Sequence, residues 1–194
     1  MSHLKVYTSI ALLLIFSTAR LTAQSTFQLS ENSKMVIKGT SSLHDWKSDV
    51  VTVRGEGILA LESQKARFQD FNLSIPVTSI KSGKSAMDKN TYEALNEEQH
   101  PNIEFSLDDV QNISGDKIRA SGRLSIAGQT RPVTLTAKYD LQNSELISLQ
   151  GSYTMKMTDF GVEPPTAVFG TIKTGDEITI DYNLQLEKTN LEIQ

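Results

Sequence analysis

The chain has 194 residues, with 19 Lys and Arg against 23 Asp and Glu, no cysteine and one tryptophan. That length suits one domain with a sizeable core, and the acidic balance excludes a basic face for nucleic acid or anionic lipid head groups. Without cysteine, disulfides, thiol catalysis and an acylated N-terminal cysteine are excluded too.

Residues 1–23 read as a secretory signal. Lys5 gives a weakly basic start, Ile10 to Phe16 is an apolar run too short to cross a bilayer, and small residues lead to Leu21-Thr22-Ala23. Cleavage is expected after Ala23, leaving residues 24–194 as a single domain. Taking Lys5 and Arg20 from the 19 basic residues leaves 17 against 23 acidic ones, a net charge of −6. No second apolar segment reaches transmembrane length. The mature chain is therefore expected to be periplasmic or secreted, with no stable membrane insertion.

Strand grammar dominates the rest of the chain. Residues 34–41 and 50–61 are expected strands, with Val51, Val53, Gly55, Gly57 and Leu59 on one face. Residues 42–46 form a polar link between them. Phe71, Leu73, Ile75 and Val77 alternate with Asp70, Asn72 and Ser74 in a strand ending near Pro76. Residues 79–99 are mostly polar and suit a surface segment with a short helix over 87–96, its start favoured by Ser85 and its end marked by Pro101. Ile103, Phe105 and Leu107 begin the next strand.

The clearest signal is a hairpin over residues 117–139. Ile118, Ala120, Gly122, Leu124 and Ile126 alternate with charged or hydroxylated neighbours, and Val133, Leu135, Ala137 and Tyr139 resume the pattern after a break at 127–130. Gly128 supplies the permissive backbone of the reversal, and Pro132, lacking a donor, fits a strand start or edge. A last pair, 147–157 and 178–186, is joined by a Gly- and Pro-containing loop over 158–175.

About eight one-sided strands with little helix to cover them must bury their apolar faces against each other. The expected class is all-β and antiparallel: a closed barrel or a two-sheet sandwich, with short connections favouring up-and-down order. Small inward residues at Ala120, Gly122, Ala137 and Gly151 would leave a dry lumen for a slender ligand. They would equally serve strand coiling and close packing. The residues alone leave both open.

Three stretches narrow this. Residues 86–105, ending Pro101-Asn102-Ile103-Glu104-Phe105, resemble the helix followed by "P-x-I-x-F" of the YceI-like, or polyisoprenoid-binding, family. Residues 122–135 (Gly-Arg-Leu-Ser-Ile-Ala-Gly-Gln-Thr-Arg-Pro-Val-Thr-Leu) look like its "G-x-L-x-[IL]-x-G-x-[TS]-[KR]-P-V-x-[LF]" core. Asp159-Phe160-Gly161, then Gly175-Asp176-Glu177-Ile178, are similar to its closing strand pair. The resemblance covers most of residues 34–187. It departs at 82–89, where many relatives carry a histidine-and-arginine pattern, and at Leu43-His44-Asp45-Trp46. It implies a lipocalin-like barrel with one short helical insertion, whose lumen takes an isoprenoid chain.

Individual polar residues support no chemistry. His44 and Asp45 are adjacent and cannot point together along a strand, and His44 with His100 has no recognisable ligand spacing. Trp46 reads as core, with a plug at one barrel end or a surface resting on ligand as the alternatives. Lys84 and Lys89 could meet a phosphate head group but read as solvated charges. No catalytic residue, metal site or cofactor is expected, and no nucleophile–base order supports a hydrolase.

The expected function is non-enzymatic binding, transport or sequestration of an isoprenoid lipid or quinone-like ligand. The expected lining is Phe71, Leu73, Ile75, Phe105, Leu124, Leu135, Tyr153, Met155 and Ile180. Nucleic acid is not an expected partner, and a homodimer is left open. The alternative is a filled barrel acting as a structural or interaction module of the cell envelope, its loop 158–175 engaging another protein. Gly122→Phe is expected to separate them, blocking an open lumen but overpacking a filled one.

Overall fold

Alternation of apolar and polar residues carries nearly the whole described chain into strands that pair with their sequence neighbours. The computed structural model describes residues 24–189 except 63, 64 and 168, so the expected signal segment lies outside the described residues. The strands are β1 (Gln24–Leu29), β2 (Lys34–Ser41), β3 (Trp46–Val50), β4 (Arg54–Glu62), β5 (Lys65–Pro76), β6 (Ile80–Lys81), β7 (Asn102–Ser114), β8 (Lys117–Ile126), β9 (Gln129–Leu141), β10 (Leu146–Lys156), β11 (Thr166–Ala167) and β12 (Ile172–Lys188). One helix, α1 (Ser85–Ala94), precedes β7.

Eight staves close a barrel. β1 and β2 run end to end against β12, with Leu29 opposite Leu186 and Ile37 opposite Ile180. β3 with β4, and β5 with β6, are two more staves, each broken by a jog. Every stave is antiparallel to the next, and β12 returns to β1 and β2, so the order is the expected meander.

Several expectations need correction. Residues 24–29, outside any expected strand, form half of the first stave. The strand expected over 50–61 breaks at 51–53: the Ser79 carbonyl accepts from the Val51 amide and the Ser79 hydroxyl donates to the Thr52 carbonyl, bending the chain there. Val51 is consequently 64% exposed and leaves the inward face. Trp46 belongs to β3 rather than to a link, and the helix starts two residues earlier than expected. The loop expected over 158–175 is largely ordered, as a 3-10 turn (Met157–Phe160), the short strand β11 and the start of β12.

The β8–β9 reversal is tighter than its four-residue sequence signal. Ile126 pairs with Gln129, leaving only Ala127 (φ 49°) and Gly128 (φ 80°) in a turn with both central residues left-handed. Counting back from that hydrogen-bonded pair places Pro132, opposite Arg123, at a non-hydrogen-bonded position facing away from β8. On its other side β10 pairs with β9 only over residues 137–141, so the missing proline donor faces no partner strand. That is the edge position the sequence demanded.

Among the described residues, the four side chains with no exposure at all gather at one end. Phe27, Leu59, Ile147 and Leu186 are fully buried where β1, β4, β10 and β12 meet, each side chain contributing about 1.5–3 kcal/mol. They plug the end bearing the β9–β10 hairpin. The other end stays open beneath α1.

Candidate functional site

Inside the staves lies a cavity of about 510 Å³, within the size range of ligand sites. All eight staves line it, seven with Leu, Ile, Val, Met, Phe, Tyr and Ala and the β3–β4 stave with Trp46 and Ser48, together with Phe160 and Val162 of the β10–β12 connection. Most polar lining residues gather at the mouth (Ser41, His44, Lys84, Asn90, Thr91, Thr166 and Thr174), while the buried Ser48 of β3 faces the chamber from the wall. Lys84 alone carries a formal charge among the lining residues. Such a chamber can shelter apolar matter from water, and it offers polar contact mainly at its entrance.

All nine expected lining residues face this cavity: Phe71, Leu73 and Ile75 from β5, Phe105 from β7, Leu124 from β8, Leu135 from β9, Tyr153 and Met155 from β10, and Ile180 from β12. Period-two alternation puts them there once the barrel closes. The void between them means that a solidly filled barrel, the alternative reading, is not what this chain builds.

The expected cause of the void is partly wrong, however. A Cβ on Gly122 would lie 2.6 Å from the Phe105 ring and would collide with the Ser106 carbonyl. One on Gly151 would strike the Tyr182 hydroxyl, and one on Gly39 the Trp46 ring. These glycines seat aromatic rings against the wall, as the packing alternative held. Ala120 and Ala137 do line the cavity. Gly122→Phe thus collides with the wall and cannot distinguish an open lumen from a filled one.

α1 closes over the mouth. Met87, Asn90, Thr91, Ala94 and Leu95 line the cavity from one helical face, at the i, i+3, i+4, i+7, i+8 spacing of an amphipathic stripe. The helix is pinned at two points. The Ser82 amide and hydroxyl donate to the Asp88 carboxylate at 2.7 and 2.6 Å, and this holds the Asp88 pKa below the usual carboxylate range. The Tyr92 hydroxyl lies 3.0 Å from the carbonyls of both Thr78 and Ile80, and accepts from Lys81 Nζ at 2.7 Å. Its polar majority reads as plain surface in the sequence, although the 87, 91, 94, 95 spacing is a signal for a lid.

Two further loops complete the rim. The Ser41 hydroxyl donates to the His44 carbonyl at 2.7 Å and accepts from the Leu43 and His44 amides, shaping the β2–β3 turn. That turn is stitched to the β11–β12 hairpin: the Ser42 amide donates to the Lys173 carbonyl, and the Lys173 amide to the Ser42 hydroxyl. Thr158 donates twice to Asp176, bracing the base of the same hairpin. Phe160 and Val162 turn inward and are buried, so the first part of this connection belongs to the wall.

The remaining candidates separate. His44 Nδ1 sits 2.6 Å from the Asp45 main-chain carbonyl, not its carboxylate. His100 packs at the β8–β9 turn beside Gly128. Among the described residues no three His, Cys, Asp or Glu side chains gather around one metal position. Lys84 lies at the rim, whereas Lys89 pairs with Glu93 on α1. Trp46 lines the cavity and donates through Nε1 to the Thr40 carbonyl at 2.9 Å. Tyr182 donates to the Thr136 carbonyl at 3.2 Å where β9 and β10 diverge, and burial pushes its pKa up to about 12.

A closed eight-stave antiparallel barrel with an apolar chamber and a helical lid defines a lipocalin-like fold. The crystal structure of Burkholderia cenocepacia BcnA superposes with a TM-score of 0.66 at 18% identity, covering 79% of this chain and 95% of that one. A polyisoprenoid binding domain from Saccharophagus degradans, implicated in plant cell wall breakdown, matches with a TM-score of 0.65 at 11% identity over 86% of this chain and all of that one. The YceI-like domain model matches residues 18–186, and the chain belongs to that family. A UPF0312 protein of Azotobacter vinelandii is 24% identical over 115 residues, 56% of this chain, and one of Pectobacterium atrosepticum is 27% identical over 114 residues, 55% of this chain. The match spans 60% and 59% of those two relatives' lengths.

Proposed function

We propose that this chain is a non-enzymatic carrier that holds one apolar, isoprenoid-type lipid or quinone tail in its barrel, in the periplasm or outside the cell. The observation that carries this reading is the cavity of about 510 Å³, apolar along most of its walls and polar chiefly at its mouth. A hydrocarbon tail satisfies such walls, whereas a polar metabolite would lose its hydrogen bonds there. The Saccharophagus degradans neighbour is named as a polyisoprenoid binding domain, which supports the same class of ligand.

Ten buried methylenes contribute about 8 kcal/mol, comparable with the cost of immobilising a ligand, on the order of 4–15 kcal/mol. Longer chains gain further until the lumen is full. Phe71, Leu73, Ile75, Phe105, Leu124, Leu135, Tyr153, Met155 and Ile180 would contact the tail, with Lys84 and its polar neighbours beside the head. Native mass spectrometry of gently purified protein tests this directly. The expected result is a co-purified lipid whose extract contains an isoprenoid chain. Protein that arrives empty and also fails to take up polyprenols or quinones would refute the reading.

A further inference from the structure

Among the described residues, four large apolar side chains are exposed: Leu43, Val51, Ile58 and Phe169. Val51 and Ile58 lie on the outer wall, at the β3–β4 bend and within β4. Leu43 and Phe169 lie on the two rim loops joined by the Ser42–Lys173 hydrogen bonds. Leu43 also lines the cavity, so one exposed apolar side chain belongs to both the rim and the lumen.

Phe169 is the sharper anomaly. Its ring is fully exposed, and its backbone adopts φ 53°, a left-handed conformation that bulky L residues rarely take. A fold that stays in water gains nothing by holding a phenyl ring outward on a disfavoured backbone. The arrangement becomes favourable when the ring enters an apolar medium.

We propose that the β2–β3 turn and the β11–β12 hairpin dock on a lipid bilayer, inserting Leu43 and Phe169 into the leaflet from which the barrel draws its occupant. This rests on the carrier reading above, because a lipid that barely dissolves in water has to pass between membrane and mouth. The exposed charges beside the two side chains, Asp45, Lys47 and Lys173, are of mixed sign. Burial of apolar surface, not attraction to anionic lipid, therefore drives the contact. It is shallow and reversible, since two side chains make a small anchor.

Flotation with phosphatidylcholine vesicles tests the docking without any cargo. Wild-type protein should float with the vesicles at low and high salt alike. Phe169→Ser should weaken flotation about tenfold, Phe169→Trp should retain it, and Val51→Ser should leave it unchanged. The same variants are then offered solanesol, once in detergent micelles and once in the vesicles. Phe169→Ser should bind solanesol from micelles as well as wild type does, because Phe169 does not line the cavity, but should acquire it from vesicles several-fold more slowly. Wild-type protein that stays with the soluble fraction, flotation abolished by salt, or Phe169→Ser floating like wild type would each overturn the proposal. Phe169-dependent flotation without solanesol uptake from either source would support the docking surface and refute the carrier reading instead.

Discussion

Gly122 shows how one missing side chain shapes the wall. The Phe105 ring and the Ser106 carbonyl occupy the space a Cβ would need, and both belong to the paired strand β7. Neither can retreat without disturbing the ladder. Gly122→Ala is expected to destabilise the protein by about 1–3 kcal/mol, read as a lower urea midpoint at unchanged slope. Tyr182 acts one layer further round. Burial raises its pKa from 10.0 to about 12, so the folded state holds this proton more tightly than the unfolded chain does. Its contribution is therefore whole below pH 10 and is lost as pH climbs toward 12. Stability of the wild type should fall across that window by about 2–3 kcal/mol more than that of Tyr182→Phe. At neutral pH the variant should lose about 1 kcal/mol with its hydrogen bond to Thr136. Denaturation series at matched pH values check both.

At the scale of the element, the lid is held by side chains rather than by a strand ladder. None of the residues of α1 is buried, and its attachment rests on the Asp88–Ser82 and Tyr92 contacts. The Asp88 carboxylate has a lowered pKa through the Ser82 hydroxyl. The stabilisation it gives is thus present above the ordinary aspartate range and disappears as pH falls through the lowered value. Acidification, and Asp88→Asn at neutral pH, should both speed hydrogen exchange in α1 while the amides of β8 and β9 stay protected. The same variant should release bound lipid faster than wild type, because α1 lines the mouth through which a tail passes. Equal exchange in variant and wild type would show that Tyr92 and the apolar stripe hold the lid by themselves.

For the whole molecule, the question is whether empty volume serves the ligand. Ala120 lines the cavity two residues from Gly122 on the same inward face of β8. A ring placed at Ala120 enters open space, whereas one at Gly122 strikes the wall. Ala120→Phe is expected to keep or slightly raise the melting temperature, since it fills a void, yet to lose lipid in native mass spectrometry. Unchanged lipid content in a folded Ala120→Phe variant would place the ligand elsewhere. Saturation of the wild type should raise its melting temperature with increasing chain length, levelling off once the tail fills the lumen.

The sequence by itself determined which residues face inward. A period of two is a property of the extended backbone, so Ile118 to Ile126, Val133 to Tyr139 and the nine lining side chains could be assigned to one face before any strand was paired. One-sided strands with almost no helix then leave the sheet only itself to pack against, as a closed barrel or a two-sheet sandwich, and the family resemblance pointed to the barrel. Tertiary structure alone decided the rest. Whether Gly122 leaves a hole or seats the Phe105 ring depends on where the neighbouring stave sets that ring, and local sequence carries no such distance. The break at Val51 arises from hydrogen bonds to Ser79, 28 positions away, and the strand over residues 24–29 exists because β12 and β4 offer it edges. The chamber itself, and the lid and apolar rim around its mouth, come from elements distant in sequence meeting at one end of a closed ring.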